Sequence, residues 1–173
     1  EAVRRIPREE FMDRAYVDHT YVDQPFPIPG DGKQTISAPY MYPIFYEPLN
    51  LVEGNRVLEV GAGSGYGAAL ARELVGSSGL VVSIEINETT FGFARENLDR
   101  TGYGDVVLVH GDGSLGYPAE SPYDAICVTA ACPAIPSPII EQLGVPGKLM
   151  APVGGSYGIY GQDLVLLEKD ADG

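Results

Sequence analysis

The sequence contains little cysteine, little lysine and no long apolar run. Its two cysteines, Cys127 and Cys132, are too few and too close for a zinc cluster, so we predict no metal site and interpret both as reduced, structural residues. No stretch approaches the roughly 20 apolar residues that cross a bilayer. Residues 1–16 are charged where a signal peptide has an apolar segment. These absences predict a cytoplasmic protein that does not enter a membrane.

Positive charge is the scarcer sign. The chain has 11 Lys and Arg against 24 Asp and Glu, which gives a net charge of -13. Because binding to DNA or RNA depends largely on Lys and Arg contacts with phosphate, we predict no nucleic-acid partner. An acidic surface with few lysines also suits a very salty cytoplasm. A halophilic source is therefore a further hypothesis, and it predicts that the fold is lost when molar salt is removed.

The order of predicted elements indicates the fold class. A chain of 173 residues, 45% of them hydrophobic, is long enough for one core and too short for two ordinary domains. Strand-like and helix-like segments alternate from about Asn55 onward, which is typical of a parallel sheet covered on both faces. The expected fold is α/β: a Rossmann-like three-layer sandwich around a mostly parallel, doubly wound sheet. We predict strands at 56–60, 80–86, 105–110 and 123–129 and near 148–152 and 163–168, and helices at 65–75, 90–101 (capped by Asn87 or Thr89) and 137–143.

The first fifty residues differ in kind from the rest. Residues 21–49 are rich in Pro and Gly and too irregular to be sheet core. Segments of this kind usually lie over the mouth of a sheet as a lid or binding loop. We therefore expect one structural domain in which residues 1–50, here named the cover segment, lie over a ligand bound by the core, residues 51–173.

A glycine-rich turn joins the first predicted strand to the first predicted helix. Glycines at alternate positions remove the β-carbons that would hold a ligand away from the backbone, and a helix amino terminus presents free amide donors. The nicotinamide pattern G-x-G-x-x-G fails because Tyr66 occupies the sixth place, where close helix packing requires glycine. What remains, E-x-G-x-G-x-G, resembles the first motif of Rossmann-like S-adenosylmethionine-dependent methyltransferases. The cofactor-binding candidates in this turn are Glu59, Gly61, Ala62, Gly63, Ser64 and Gly65.

Two acidic residues follow at the ends of the next two predicted strands. Glu85 ends the second strand, where a carboxylate can accept both ribose hydroxyls of a nucleoside, and Asp112 follows the third, where it can accept from an adenine amino group. With the adjoining Ile86, Gly111 and Gly113 they complete the candidate cofactor site. Taken singly, Glu85 is more often a solvated strand end and Asp112 a turn former. Their occurrence in this order after the glycine turn indicates a cofactor site at one edge of the sheet.

Several blocks of sequence resemble one family. Residues 34–39 (QTISAP) resemble the Q-T-I-S-x-P motif of protein-L-isoaspartate O-methyltransferases, and residues 6–11 (IPREEF) with Ala15-Tyr16 resemble its V-P-R-x-x-F and A-Y segment. The likeness covers essentially the whole chain, and the first motif is far more specific than the glycine turn. Later blocks follow in the family's order: 57–61 (VLEVG), 111–113 (GDG), 122–126 (PYDAI), 128–131 (VTAA), 141–143 (EQL), 147–149 (GKL) and 152–154 (PVG).

The resemblance implies an activity and a set of residues that perform it. The implied reaction transfers a methyl group from S-adenosylmethionine to the carboxylate of an isoaspartyl residue in a damaged protein or peptide, leaving S-adenosylhomocysteine. The resulting ester collapses to a succinimide, which allows repair. By resemblance, Ser37 is the active-site residue, and we expect a monomer. The implied cofactor contacts are Gln34, Thr35, Ile36, Ser37, Tyr42, Glu85, Gly111 and Asp112.

The residues agree with this chemistry. A carboxylate is already ionised at neutral pH, so its attack on a methyl group needs no strong general base, and no His-Asp or Cys-His arrangement is evident. His19 and His110 are interpreted as structural. We predict that Ser37 orients the acceptor carboxylate while the Pro-rich segment excludes water. The plain alternative for a loop serine is a hydroxyl that satisfies a backbone group, and the motif reverses that preference here.

Three other interpretations stay open. One keeps the cofactor and changes the acceptor to a specific peptide or a small acid. Another is a protein that binds S-adenosylmethionine without catalysis, because the chain stops at residues 170–173 where relatives usually continue with an apolar segment that contributes to the pocket. A dehydrogenase is the third, disfavoured by Tyr66. Lys33, inserted beside the usual Gly-Gln junction, departs from the family pattern, and the sequence does not define its effect.

Overall fold

The structure is a computed structural model that describes residues 1–154 and 161–171. Short 3₁₀ turns at Arg8–Phe11, Arg14–His19, Gly113–Leu115 and Pro118–Glu120 connect its regular elements. The strands are β1 (Phe26–Pro27), β2 (Thr35–Ile36), β3 (Arg56–Val60), β4 (Leu80–Glu85), β5 (Val107–His110), β6 (Tyr123–Val128), β7 (Leu143–Val153) and β8 (Asp163–Lys169). The α-helices are α1 (Ala2–Arg5), α2 (Met41–Tyr46), α3 (Tyr66–Val75), α4 (Glu88–Thr101) and α5 (Ser137–Gln142).

Six strands form the main sheet, in the order β5-β4-β3-β6-β7-β8. The first five run parallel, and β8 pairs antiparallel with β7. Successive residues of β3 face opposite layers, because Val57 packs with α3 and α4 while Leu58 packs with α5. Helices thus cover both faces, which confirms the predicted α/β sandwich with a mostly parallel sheet. None of the helices in the described part of the chain is long and apolar enough to cross a membrane.

The helix boundaries follow local capping chemistry. Before α4, the Asn87 side chain accepts a hydrogen bond from Thr90 N at 3.0 Å. The sequence allowed either Asn87 or Thr89 as the cap of this helix, and the structure has Asn87. Helix α4 ends at Gly102, whose φ of 88° is left-handed, and α3 ends at Gly76 with a φ of 65°. These stops confirm the two helices predicted from the sequence.

Two strands differ from the predictions by more than one residue at an end. The third predicted strand begins at Val107 instead of Asp105, because the backbone is still in a turn there, in which the Val106 amide donates to the Tyr103 carbonyl at 3.1 Å. Strand β7 is longer than the predicted 148–152, since it pairs with β6 on one side and β8 on the other. The alternative without catalysis rests on the end of the chain at residues 170–173, of which residues 172–173 lie outside the described residues.

The cover segment contains short pieces that pack onto the core. Its strands β1 and β2 form a small antiparallel ribbon, in which Phe26 pairs with Ile36 and Pro27 with Thr35. This ribbon is regular structure that the sequence did not predict. Ile36 is buried in the same cluster as residues of α3 and α4. The ribbon therefore fixes the QTIS residues against the core.

Candidate active site

A cavity of about 550 Å³ opens at the carboxyl ends of β3, β4 and β6. It lies where β3 and β6 are neighbours and the chain order of the strands reverses, the place where open α/β sheets bind ligands. The cover segment forms the opposite wall. The lining residues are Lys33, Gln34, Thr35, Ile36, Ser37, Tyr42, Glu59, Val60, Gly61, Ala62, Gly63, Ser64, Gly67, Ile84, Glu85, Ile86, Asp112, Gly113, Ser114, Val128, Thr129, Ala130, Ala131, Cys132, Pro136 and Ile139.

Most of the site residues proposed from the sequence meet in this cavity, and two do not line it. A β-carbon on Gly65 would press against Leu98 and the Ala94 carbonyl, so this glycine permits close packing of α3 on α4. Gly111 has no atom within 4 Å of where its β-carbon would lie. The proposed residues that line the cavity are Gln34, Thr35, Ile36, Ser37, Tyr42, Glu59, Gly61, Ala62, Gly63, Ser64, Glu85, Ile86, Asp112 and Gly113.

The backbone amides of the glycine turn are largely used inside the protein, which differs from the free donors expected from the sequence. The amides of Gly61 and Ala62 both donate to the Ile84 carbonyl, at 2.9 and 3.0 Å. The Gly63 amide donates to Glu85 Oε2 at 3.0 Å. These bonds tie the end of β3 to the end of β4. The turn therefore shapes the cavity wall more than it offers a row of unpaired amides.

The turn is also held from the β6 side, by a residue that the sequence reasoning did not assign. Thr129 Oγ1 donates to the carbonyls of Gly61 at 2.6 Å and Val60 at 3.0 Å. Gly61 adopts a φ of 100°, and a β-carbon there would collide with Thr129 Oγ1. The signal was present, since Thr129 is the last residue of the strand predicted at 123–129 and lies at the same edge as the acidic residues.

The Glu85 carboxylate, 6% exposed, connects two loops at the cavity. Its Oε2 accepts from Gly63 N at 3.0 Å and its Oε1 from Asn87 N at 2.9 Å. A carboxylate has about four acceptor positions, so among the described residues two are left for a ligand. The exposed side chain of Ile86 lies beside it on the cavity wall.

Glu59 is buried behind the glycine turn and joins the cover segment to the sheet. Its Oε1 accepts from the Tyr46 hydroxyl at 3.1 Å, and its Oε2 accepts from Ser83 Oγ at 2.6 Å. Burial raises the pKa of Glu59 to about 7, although both hydrogen bonds act to lower it. The carboxyl group is therefore partly protonated at neutral pH.

Asp112 has the opposite environment. It is exposed, and its Oδ1 accepts from the Ser114 amide at 2.9 Å as the cap of a 3₁₀ turn. That hydrogen bond lowers the pKa of the Asp112 carboxyl group, so the group is ionised at neutral pH. A charged acceptor thus lies on the cavity wall next to Gly113.

Ser37 is half-buried at the end of the QTIS segment. Its carbonyl accepts from Arg8 Nη2 at 2.8 Å, whereas its hydroxyl has no hydrogen-bond partner within residues 1–154 and 161–171. The plain alternative, a hydroxyl used to satisfy the backbone, is thus not what the structure shows. The Tyr42 ring completes this wall, with its centroid 4.8 Å from that of Tyr66 at 90°. Burial raises the pKa of Tyr42, which stays neutral.

The comparison with known proteins points to one family. The profile of the protein-L-isoaspartate(D-aspartate) O-methyltransferase family matches residues 1–173. The chain is 50% identical to protein-L-isoaspartate O-methyltransferase 2 of Archaeoglobus fulgidus over 173 residues, which are 100% of this chain and 76% of that protein.

Solved structures agree with this relationship. A protein-L-isoaspartate O-methyltransferase structure superposes with a TM-score of 0.88 at 35% identity, over 99% of this chain and 56% of that chain. A protein of the same name from Plasmodium falciparum, in complex with S-adenosyl-L-homocysteine, gives a TM-score of 0.83 at 24% identity, over 98% of this chain and 82% of that one. The second match shows the fold alone. On the whole-chain profile match and the 50% identity, the chain belongs to the protein-L-isoaspartate(D-aspartate) O-methyltransferase family.

Proposed function

We propose that this chain methylates the carboxylate of L-isoaspartyl residues in damaged proteins and peptides, with S-adenosylmethionine as methyl donor. The observation that carries the proposal is that the Ser37 hydroxyl, which has no hydrogen-bond partner in the described part of the chain, lines the same cavity as the acidic cofactor candidates. Family membership supports the same reaction. The product ester collapses to a succinimide and returns part of the damaged chain to a normal aspartyl linkage.

The lining residues fit S-adenosylmethionine. The cavity of about 550 Å³ lies within the range of small-molecule sites, roughly 300–1,000 Å³. We assign the ribose hydroxyls to the free acceptor positions of Glu85 and the adenine amino group to Asp112, with Ile86 against the purine. Three carboxyl groups, those of Glu59, Glu85 and Asp112, line the cavity, which suits a positively charged ligand. Gly65 and Gly111, outside the lining, support the neighbouring helix and strand end.

The protein contributes to the reaction by positioning the methyl donor and the acceptor carboxylate. When bound, S-adenosylmethionine supplies a methyl group on a positively charged sulfur, and its transfer to a carboxylate oxygen leaves S-adenosylhomocysteine and a methyl ester. No proton moves, so no general base is required. The Ser37 hydroxyl donates a hydrogen bond to the acceptor carboxylate and holds that carboxylate in line with the methyl group. Gln34, Thr35, Ile36 and Tyr42 exclude water, and alignment of two reactants is worth roughly 7–11 kcal/mol.

The proposal also gives a role to each of the two parts of the chain and a location to the protein. Residues 1–50 cover the bound substrates, and residues 51–173 form the cofactor-binding core of the same domain. The net charge of -13 supports a protein that acts without nucleic acid. We infer that it works as a monomer in the cytoplasm, and light scattering of the purified chain tests the first of these points.

A paired peptide assay tests the function. The enzyme is given S-adenosylmethionine with a labelled methyl group and either an isoaspartyl peptide or its aspartyl twin. We expect label in the isoaspartyl peptide alone. Equal labelling of both peptides, or of a small dicarboxylic acid in their place, would show a different acceptor. Binding of S-adenosylhomocysteine without transfer to any carboxylate would show a protein that binds the cofactor without catalysis.

Replacement of the serine tests its role within that function. Ser37→Ala should lower turnover by roughly 10- to 100-fold, because a hydrogen bond to a charged group is lost in the reacting complex. The Kd of S-adenosylhomocysteine, measured by calorimetry, should change little. Ser137→Ala is the control, since Ser137 is an exposed serine of α5 that does not line the cavity. Unchanged turnover in Ser37→Ala would remove Ser37 from the mechanism.

A further inference from the structure

Arg8 is a buried charged side chain that the reaction described above does not use. It begins the first 3₁₀ turn of the cover segment, and only 1% of its surface is exposed. No carboxylate forms an ion pair with it in the described part of the chain. A buried guanidinium without a counter-ion is strongly unfavourable unless its other contacts compensate. Those contacts therefore indicate what the residue does.

Two backbone carbonyls and two aromatic rings surround the guanidinium. Nε donates to the Thr20 carbonyl at 2.9 Å, and Nη2 donates to the Ser37 carbonyl at 2.8 Å. The guanidinium carbon lies 5.8 Å from the ring centroid of Tyr42 and 5.6 Å from that of Tyr66, which is cation–π geometry. Nη1 is buried and has no partner among the described residues. Arg8 thus joins three parts of the chain at one point.

This point lies directly behind the cavity wall. Ser37 and Tyr42 line the cavity, whereas Arg8 does not. The Ser37 hydroxyl has no hydrogen bond of its own among the described residues, so its position depends on its backbone and on the packing around it. The guanidinium bond to the Ser37 carbonyl fixes that backbone. A planar fork of donors can hold two carbonyls at once, which a lysine ammonium on a flexible stem does less well.

We propose that Arg8 is a positioning residue for methyl transfer, which sets the Ser37 hydroxyl by binding the Ser37 and Thr20 carbonyls together. The proposal rests on the function assigned to Ser37 above. It attributes the role of Arg8 to the donor fork and not to its positive charge. The acceptor carboxylate then meets a hydroxyl whose backbone is held from behind.

Two substitutions separate the effect of the planar guanidinium donors of Arg8 from the effect of its positive charge. Arg8→Lys keeps the charge and much of the length, whereas Arg8→Met keeps only the length. We expect both variants to lower kcat/KM for the isoaspartyl peptide by roughly 10- to 100-fold, while the Kd of S-adenosylhomocysteine stays within about twofold. Arg14→Met is the matched control, because Arg14 is an exposed arginine of the same segment and should leave kcat/KM unchanged. Full activity in Arg8→Lys would overturn the proposal.

A double-mutant cycle distinguishes positioning from general support of the fold. If Arg8 acts through Ser37, Arg8→Lys combined with Ser37→Ala should be no slower than Ser37→Ala alone. Additive losses would show that Arg8 acts independently of Ser37 and would overturn the proposal. Arg8→Lys is used in the cycle because Arg8→Met carries the greater risk of misfolding. A wild-type enzyme without activity on the isoaspartyl peptide would refute the proposed function itself. Arg8 variants as active as the wild type would refute only the role of Arg8.

Discussion

The two walls of the cavity are built in different ways. The core wall consists of strand ends and turns whose backbone groups bind each other, as where the amides of Gly61 and Ala62 donate to the Ile84 carbonyl. The wall formed by the cover segment contains the short β1–β2 ribbon, and side chains, Ile36 in the core and Arg8 on the Ser37 carbonyl, hold the end of that ribbon in place. A backbone-built wall tolerates many side-chain changes but not added bulk, whereas a wall held by side chains fails when one of them is replaced. Substitutions in the two walls should therefore have different consequences.

The largest effect is expected from added bulk in the core wall. Gly61→Ala places a side chain at a φ of 100° and against Thr129 Oγ1, which would then lose its two hydrogen bonds. Strain and lost hydrogen bonds together should cost at least about 3 kcal/mol, which is more than a hundredfold in an equilibrium constant. We expect the Kd of S-adenosylhomocysteine, measured by calorimetry, to rise accordingly, or the free energy of unfolding to fall.

Gly63→Ala provides the control for that variant. Gly63 belongs to the same turn and also has a positive φ, 55°, but its β-carbon would lie 3.7 Å from the nearest atom, the Thr35 carbonyl oxygen. This spacing is ordinary contact, so Gly63→Ala should weaken cofactor binding much less than Gly61→Ala. Equal losses in both variants would show that conformational strain, and not the collision with Thr129, determines how this wall responds.

The second-largest effect is expected at Glu59, whose hydrogen bond with Tyr46 joins the core wall to the cover wall. Burial raises the pKa of Glu59 from 4.5 to about 7 in the folded protein. Below pH 4.5 the group is protonated in both states, and between 4.5 and 7 only the unfolded state releases its proton. Stability should therefore fall as pH rises through this window, by about 3 kcal/mol in total, and then level off. Urea unfolding at pH 5, 6, 7 and 8 without cofactor measures this slope.

Two variants isolate the contribution of Glu59 from that of other carboxylates. Glu59→Gln cannot ionise, so the difference in unfolding free energy between it and the wild type should change with pH in the window from 4.5 to 7. Tyr46→Phe removes a hydrogen bond that lowers the pKa of Glu59, and it should extend the window above pH 7. A constant difference between wild type and Glu59→Gln would mean that Glu59 is ionised in the folded protein throughout.

The same contrast explains what the sequence could predict. The core wall was predictable because strand periodicity, caps and glycines are local signals, so the ends of β3 and β4 and the cap of α4 lie close to their predicted positions. The use of the turn amides was not predictable, since it depends on how closely the end of β4 lies beside that of β3. The position of the QTIS segment depends on contacts between distant parts of the chain, such as the one between Arg8 and Ser37, which are 29 residues apart. Motif resemblance marked both residues but gave no role to Arg8.

The smallest effect concerns Lys33 at the rim of the cover wall. Among the described residues that line the cavity, Lys33 is the cation; its side chain is 85% exposed, and its Nζ lies 4.0 Å from Asp31 Oδ2. Because the acceptor is an anion and the protein carries a net charge of -13, Lys33 should assist its approach. Lys33→Ala should raise KM for the isoaspartyl peptide roughly two- to threefold at low salt, and the difference should vanish at about 1 M salt, where charges are screened beyond about 3 Å. An increase in KM that persists at high salt would instead mean that Lys33 contacts the peptide directly. The cover wall would then contribute to acceptor recognition through Lys33 as well as through the Ser37 hydroxyl.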